Sequence, residues 1–362
     1  MPFCFVGVTG QSTKFRRLFI VMRRVLVIIT TAAFFLQLST SCRRNPLNVN
    51  ISGIELELKI KRLEKDLFTA NPNDIPDMIP YLELKYDDFI RLFGYVINIG
   101  EMTDTSWSYD LVRFCTDKLN YEVYENTVQL YPDLKNLEKG LTDAFRHYKY
   151  YFPSKIVPGI YSCITGFNNS IITGDSVLAI SLDRYLGSEC KYYKELKLYN
   201  YQTARMNPVN IIPDCMYGWA TSEWEYNTMK YPQDNVLSEM IHEGKLMYFV
   251  RCMLPEAGED HIFGFNQDQY KFCTNNEGRM WQYLIENNLL FNSEQLTIRK
   301  LTGDAPFTSY FSKESPGRAA VWIGYRIVRS FMTKNKNTSL EELMKNTDIQ
   351  SILENARYNP QV

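Results

Sequence analysis

The stretch NVLSEMIHEGKLMYFVRCM, residues 235–253, constrains the fold more than any other part of the sequence. Its apolar residues recur at helical spacing and cover nearly the whole circumference of the helix that they predict. A surface helix carries one apolar stripe, whereas a helix that is apolar all round lies in a core. The sequence therefore predicts a central, buried helix around which much of the chain packs.

The same stretch contains the first half of a zinc-binding motif. His242 and Glu243 match the opening of H-E-x-x-H, which places two histidines one helical turn apart, but Leu246 occupies the fifth position. A catalytic zinc site keeps three protein ligands and leaves a further position open for water. Here His242 would be one ligand, and Glu243 would be the general base for metal-bound water.

Glu277 is the candidate for a second ligand. It begins the helical pattern EGRMWQYL on a later segment. Glutamates are also common at helix starts because they interact favourably with the helix dipole. Since His242 and Glu277 together make only two ligands, we predict a non-catalytic helix with no bound cofactor. The alternative is a zinc metallopeptidase in which His242 and Glu243 act with a substitute ligand such as Glu277.

The N-terminus predicts export and lipid attachment. Residues 22–42 read MRRVLVIITTAAFFLQLSTSC, which has the charged, apolar and small-residue regions of a secretory signal. The apolar run 25–36 is shorter than the roughly 20 residues of a spanning helix. LSTSC resembles the lipobox of bacterial lipoproteins, which implies acylation of Cys42. We predict a signal peptide over 1–41, with 1–21 as a mis-start extension, and a lipidated tether over 42–50.

The net charge of the chain and the residues after Cys42 indicate where the protein lies and what it binds. Residues 1–41 hold five of the 40 basic residues and none of the 41 acidic ones, so the remaining chain is mildly acidic. An acidic surface gives no electrostatic reason to bind nucleic acid. Arg43, Arg44 and Asn45 follow Cys42, and no acidic cluster there resembles the surface-export signals of related lipoproteins. This comparison implies an outer-membrane lipoprotein that faces the periplasm. Its expected partners are the membrane, through the lipid, and an envelope protein whose identity the sequence does not contain.

Residues 51–362 are predicted to form one α+β domain, rich in helices, with a small central sheet. The alternation of Ile54, Leu56, Leu58 and Ile60 predicts a strand, and turn pairs within 158–187 predict a short meander. Helical patterns cover 79–93, 118–152 as two or more helices, and most of the chain after Cys215.

Several segments together resemble the gliding motility lipoprotein GldB family, from about residue 42 to 360. They are IKRLEKDLF, GIYSCITGF, LAISLDRYLG, MIHEGKLMYF, EGRMWQYL and SPGRAAVWIGYRIVRSFM. That family is in turn similar to predicted zinc-dependent proteases with a complete H-E-x-x-H. The resemblance implies a zincin-like α+β fold in which His242 and Glu243 persist while the second histidine is lost. It also implies a role in supporting cell-envelope machinery.

The last of these segments contains two arginines, Arg318 and Arg326, beside and within a predicted helix over 319–332. Either arginine could bind a ligand carboxylate or pair with a carboxylate of the chain itself. Three functions follow from the sequence. The first is a lipid-anchored, non-catalytic pseudo-peptidase scaffold or partner-binding protein, the second is an active zinc peptidase, and the third is a peptide- or glycan-binding module that uses the same cleft.

Overall fold

The computed structural model describes Met1 and residues 45–361. Apart from Met1, the predicted signal peptide lies outside the described residues, and so does Cys42, the predicted site of acylation. Leu47–Val362 forms one compact unit. Its described residues contain 17 helices and one four-stranded mixed sheet, which confirms a helix-rich α+β fold. Among the same residues, no helix is both long enough and apolar enough to cross a membrane.

The sheet is built from four short strands in the order β1-β2-β4-β3. They are β1 Ile60–Arg62, β2 Gly159–Cys163, β3 Ile171–Gly174 and β4 Val177–Ser181. β2 runs parallel to both of its neighbours, whereas β3 pairs antiparallel with β4. The predicted meander is therefore wrong in topology, because β4 inserts between β2 and the half-exposed β3. Turn residues identify the β3–β4 hairpin, but they do not determine which strand lies at the edge.

The predicted strand over residues 54–60 is also mostly wrong. These residues alternate between partial burial and exposure, but the ladder begins only at Ile60. Side chains of a neighbouring helix replace a partner strand: the amide of Leu58 donates to Thr142 Oγ1, and the amide of Ile60 donates to Glu138 Oε1. The alternation thus results from one partly buried face of an extended segment, beside which the described residues place no strand.

The α-helices follow in chain order, with three short 3-10 turns between them. They are α1 Leu63–Phe68, α2 Ile79–Tyr86, α3 Asp88–Val96, α4 Trp107–Thr116, α5 Lys118–Leu130, α6 Lys135–Tyr151, α7 Lys191–Glu195, α8 Asn200–Thr203, α9 Ile211–Glu223, α10 Val236–Met253, α11 Glu259–Phe263, α12 Gln267–Asn275, α13 Glu277–Glu286, α14 Gln295–Thr302, α15 Ala319–Lys334, α16 Leu340–Lys345 and α17 Ile349–Ala356. The helical pattern over 79–93 divides in two because Asp87 adopts a positive φ of 52°.

The sheet separates two hydrophobic cores. Ile160 and Leu178 face the larger core, which contains α10 and α15, while Tyr161 and Ala179 face the smaller core of the N-terminal helices. Successive residues of a strand point to opposite faces, so β2 and β4 contribute to both cores. Burial on both sides accounts for their continuous apolar character.

α10 is the predicted buried helix, and most of its residues are buried. Asn235 caps it by accepting a hydrogen bond from the amide of Ser238. α15 crosses α10 at Gly244 and Gly324, where a Cβ on either glycine would overlap the backbone of the other helix. Only glycine permits such close backbone approach at this crossing. The crossing brings the N-terminus of α15 beside the middle of α10, where the functional candidates lie.

Candidate functional site

Glu243 and Arg318 form the centre of the site. Arg318 Nη2 donates to Glu243 Oε2 at 2.6 Å, and the Tyr217 hydroxyl donates to the same oxygen at 2.8 Å. Arg318 also donates to the Tyr217 hydroxyl at 3.0 Å, and its guanidinium lies 5.1 Å from the centre of the tyrosine ring. The side chains of Glu243 and Arg318 are only 15% and 14% exposed. The glutamate is therefore held by two donors in a largely buried cluster.

The backbone before α15 directs Arg318 toward this cluster. Arg318 adopts a left-handed conformation with φ 60°, and Gly317 lies so close to Ala305 that a Cβ there would overlap its carbonyl. The first amide of α15, from Ala319, donates to Thr308 Oγ1 at 2.9 Å. Thr308 thus satisfies the first amide of the helix, while the guanidinium of Arg318, which has only donors, hydrogen bonds to Glu243.

A cleft of about 480 Å³ opens beside the ion pair. Tyr217 from α9, two glutamates from α10, one face of α14 and Arg318 form its walls. The charged lining residues are Asp234, Glu239, Glu243, Asp304, Arg299 and Arg318. Burial, followed by the adjacent carboxylates of Glu243 and Asp234, raises the pKa of Glu239 to about 7. The cleft is thus strongly polar, with more carboxylates than arginines.

His242 lies outside this cleft. Its Nδ1 is 2.8 Å from the Tyr231 hydroxyl, and its ring packs edge-on against Tyr231 and Tyr226. Burial, followed by the nearby charge of Lys245, lowers the pKa of His242 to about 3, so the imidazole is neutral at neutral pH. Leu246 is fully buried in the larger core. The residues at the first and fifth motif positions therefore serve packing and internal hydrogen bonding.

Glu277, the first residue of α13, belongs to a different cluster, whose arginine, Arg326, lies further along α15. It accepts hydrogen bonds from Arg326 Nε at 3.1 Å and from the Tyr358 hydroxyl at 2.8 Å. Arg326 also lies 3.8 Å from a carboxylate oxygen of Glu259. Both arginines that the sequence singled out thus pair with carboxylates of the chain. Within residues 45–361, no group of three or more His, Cys, Asp or Glu side chains is placed to hold a metal ion.

Comparison with known proteins assigns the sequence to a protein family. The sequence matches the family model described as "Gliding motility protein GldB" over residues 44–360. The chain belongs to the GldB family. Searches of curated proteins and of solved structures found no match to this GldB-family chain. The match covers most of the chain and confirms the resemblance seen in the sequence segments.

Sequence reasoning missed several lining residues of the cleft in this GldB-family protein. Glu239 had a local signal, since it precedes Glu243 by four residues and so shares its helix face. Arg299 and Asp304 had no such signal, because their segment is distant in sequence from α10. Tyr217 reads as an ordinary residue of an apolar helix, and only the packing of α9 on α10 brings its hydroxyl to Glu243.

Proposed function

We propose that this GldB-family protein is a lipid-anchored component of the cell envelope that acts by binding rather than by catalysis. Cys42 carries the anchor, and the protein faces the periplasm from the outer membrane. α10 serves as the scaffold helix of a zincin-like fold, and its cleft is a place for a partner or ligand. Family membership and the lipobox-like LSTSC support the envelope assignment.

The engagement of Glu243 is the observation that carries the non-catalytic assignment. A general base in a zinc peptidase must accept a proton from metal-bound water. In this protein the carboxylate already accepts hydrogen bonds from Arg318 and Tyr217, and Leu246 offers no lone pair to a metal. His242 is hydrogen bonded to Tyr231. These residues do not fit the three-ligand arrangement that zinc catalysis requires.

Metal analysis and peptidase assays test the assignment. The full chain, purified in detergent, should contain much less than one zinc per molecule and should not cleave a mixed peptide library. The matched variants are His242→Ala, which removes the only imidazole of α10, and Leu246→His, which completes the motif. Near-stoichiometric zinc in the unmodified protein that disappears in His242→Ala would overturn the non-catalytic assignment.

Cell fractionation tests the anchor. Cys42→Ala should release the protein from the membrane pellet, because the acyl chains on this cysteine supply the membrane affinity. Cys273→Ala, at a buried position outside the lipobox, is the control and should stay in the pellet. Protease added to intact cells should leave the wild-type protein uncut. Retention of Cys42→Ala, or digestion in intact cells, would refute the anchor or the orientation respectively.

A further inference from the structure

We infer that the cleft beside the Glu243–Arg318 pair binds an uncharged oligosaccharide. The cleft measures about 480 Å³, within the range of roughly 300–1,000 Å³ that is usual for small-molecule sites. Its walls come from α9, α10 and α14 and from the loops beside them. The inference rests on the proposed function in one respect, namely that the cleft binds its ligand without cleaving it.

Hydrogen-bonding groups that the protein leaves unused define the ligand. Among the described residues, the carboxylate of Glu239 and the guanidinium of Arg299 have no side-chain hydrogen bond or ion pair, although both line the cleft. Asp304 is 73% exposed and has only a distant contact, 3.9 Å, with Arg318. Gln295 donates its amide to Asp234, which leaves its carbonyl oxygen as an acceptor.

These groups comprise both donors and acceptors. A sugar hydroxyl donates one hydrogen bond and accepts others, so a ring with several hydroxyls can satisfy carboxylates and a guanidinium at once. Hydrogen bonds to charged partners are about twice as strong as neutral ones. Tyr217 and Tyr226 add aromatic surface to the walls. The lining therefore has the complementary chemistry for a polyhydroxyl ligand.

Other ligand classes match the cleft less well. An anion would meet four lining carboxylates against two arginines. An apolar ligand would find one aliphatic side chain, Ile298, and two tyrosine rings among mostly charged and polar groups. An extended peptide usually pairs with a strand edge or places side chains in apolar pockets, and helices and loops form this cleft. A metal ion has no group of three suitable ligands in residues 45–361.

A second cleft indicates room for more than one sugar ring. It measures about 390 Å³ and shares Asp304 and Arg318 with the first, so the two clefts adjoin. Its lining is also rich in planar polar side chains, including Asn207, Asn266 and Gln269. A ligand that fills the first cleft can extend past Arg318 into the second, which favours an oligosaccharide over a single ring.

Calorimetric titration of the full chain in detergent tests the inference. The probes are three neutral tetrasaccharides, chitotetraose, cellotetraose and maltotetraose, with tetraglycine and trilysine as peptide comparators. At least one tetrasaccharide should bind with millimolar or tighter affinity. Arg299→Ala and Asp304→Asn should each weaken that binding roughly tenfold or more, as expected for loss of a hydrogen bond to a charged group.

Lys300→Ala is the matched control, since Lys300 is the exposed neighbour of Arg299 on α14 and does not line the cleft. It should bind like the wild type. The inference is overturned if no tetrasaccharide binds, if trilysine or tetraglycine binds instead, or if both cleft variants bind normally. Recovery of a shortened sugar would keep the ligand class but refute the non-catalytic function.

Discussion

Glu243 and Lys245 lie two positions apart on α10, but their charged groups lie in different environments. Glu243 faces the cleft and is paired with Arg318. Lys245 is 1% exposed and pairs with no carboxylate among residues 45–361. Its ammonium donates to the carbonyl oxygens of Met344 and Asn346 at the end of α16 and lies 5.2 Å from the centre of the Tyr231 ring. Between them, Gly244 contacts α15.

Three consecutive residues thus face three environments. Successive residues of an α-helix are rotated by about 100°, so one turn can reach a cleft, a helix crossing and a buried helix end. The comparison teaches that a match to two letters of the zinc-binding motif does not determine which groups surround the residues of this segment. Its side chains organise packing on two sides and a polar cleft on the third.

The crossing at Gly244 and Gly324 should be the most sensitive of the three environments. Gly324→Ala places a Cβ against the backbone carbonyl of Met240, which has no flexible side chain that could move aside. We expect a loss of unfolding free energy of about 3 kcal/mol or more, measured by urea unfolding of the full chain. Gly53→Ala is the control, because a Cβ there contacts nothing within 4 Å. Equal stability of the two variants would show that the crossing tolerates separation.

The buried Lys245 should make stability depend on pH. Burial lowers its pKa from 10.5 to about 7 in the folded protein. The unfolded chain therefore binds more protons between pH 7 and 10.5, and stability should rise with pH in that window. Between pH 7 and pH 9 the wild type should gain about 2–3 kcal/mol relative to Lys245→Met, measured by urea unfolding. Parallel pH profiles of the two proteins would show that the lysine is solvated.

The Glu243–Arg318 pair should have the smallest of the three effects. A double-mutant cycle with Glu243→Gln and Arg318→Met should give a coupling free energy of about 1–2 kcal/mol, because both groups are largely desolvated. The exposed pair Glu341–Lys345, treated in the same way, should give about 0.3–0.5 kcal/mol. Similar couplings for both pairs would mean that water reaches Glu243, and the contrast with Lys245 would then weaken.

Local patterns in the sequence predicted much of the fold. The buried α10, the helix that begins at Ala319, the start of α13 at Glu277 and the β3–β4 turn all depend on periodicity or turn chemistry within a few residues. The motif letters also identified Glu243 as a candidate, and the segment SPGRAAVWIGYRIVRSFM identified Arg318. Segment resemblance identified the GldB family, which the family match confirmed.

The tertiary structure alone decided the sheet order and the partners of the charged residues. Arg318 could have bound an external carboxylate, and nothing local to it indicated Glu243, 75 residues away. The position of β4 between β2 and β3 likewise depends on burying two strands on both faces between two cores. Periodicity and turns are properties of neighbouring residues, whereas ion-pair partners, strand neighbours and clefts arise from packing between distant segments, which no local pattern encodes.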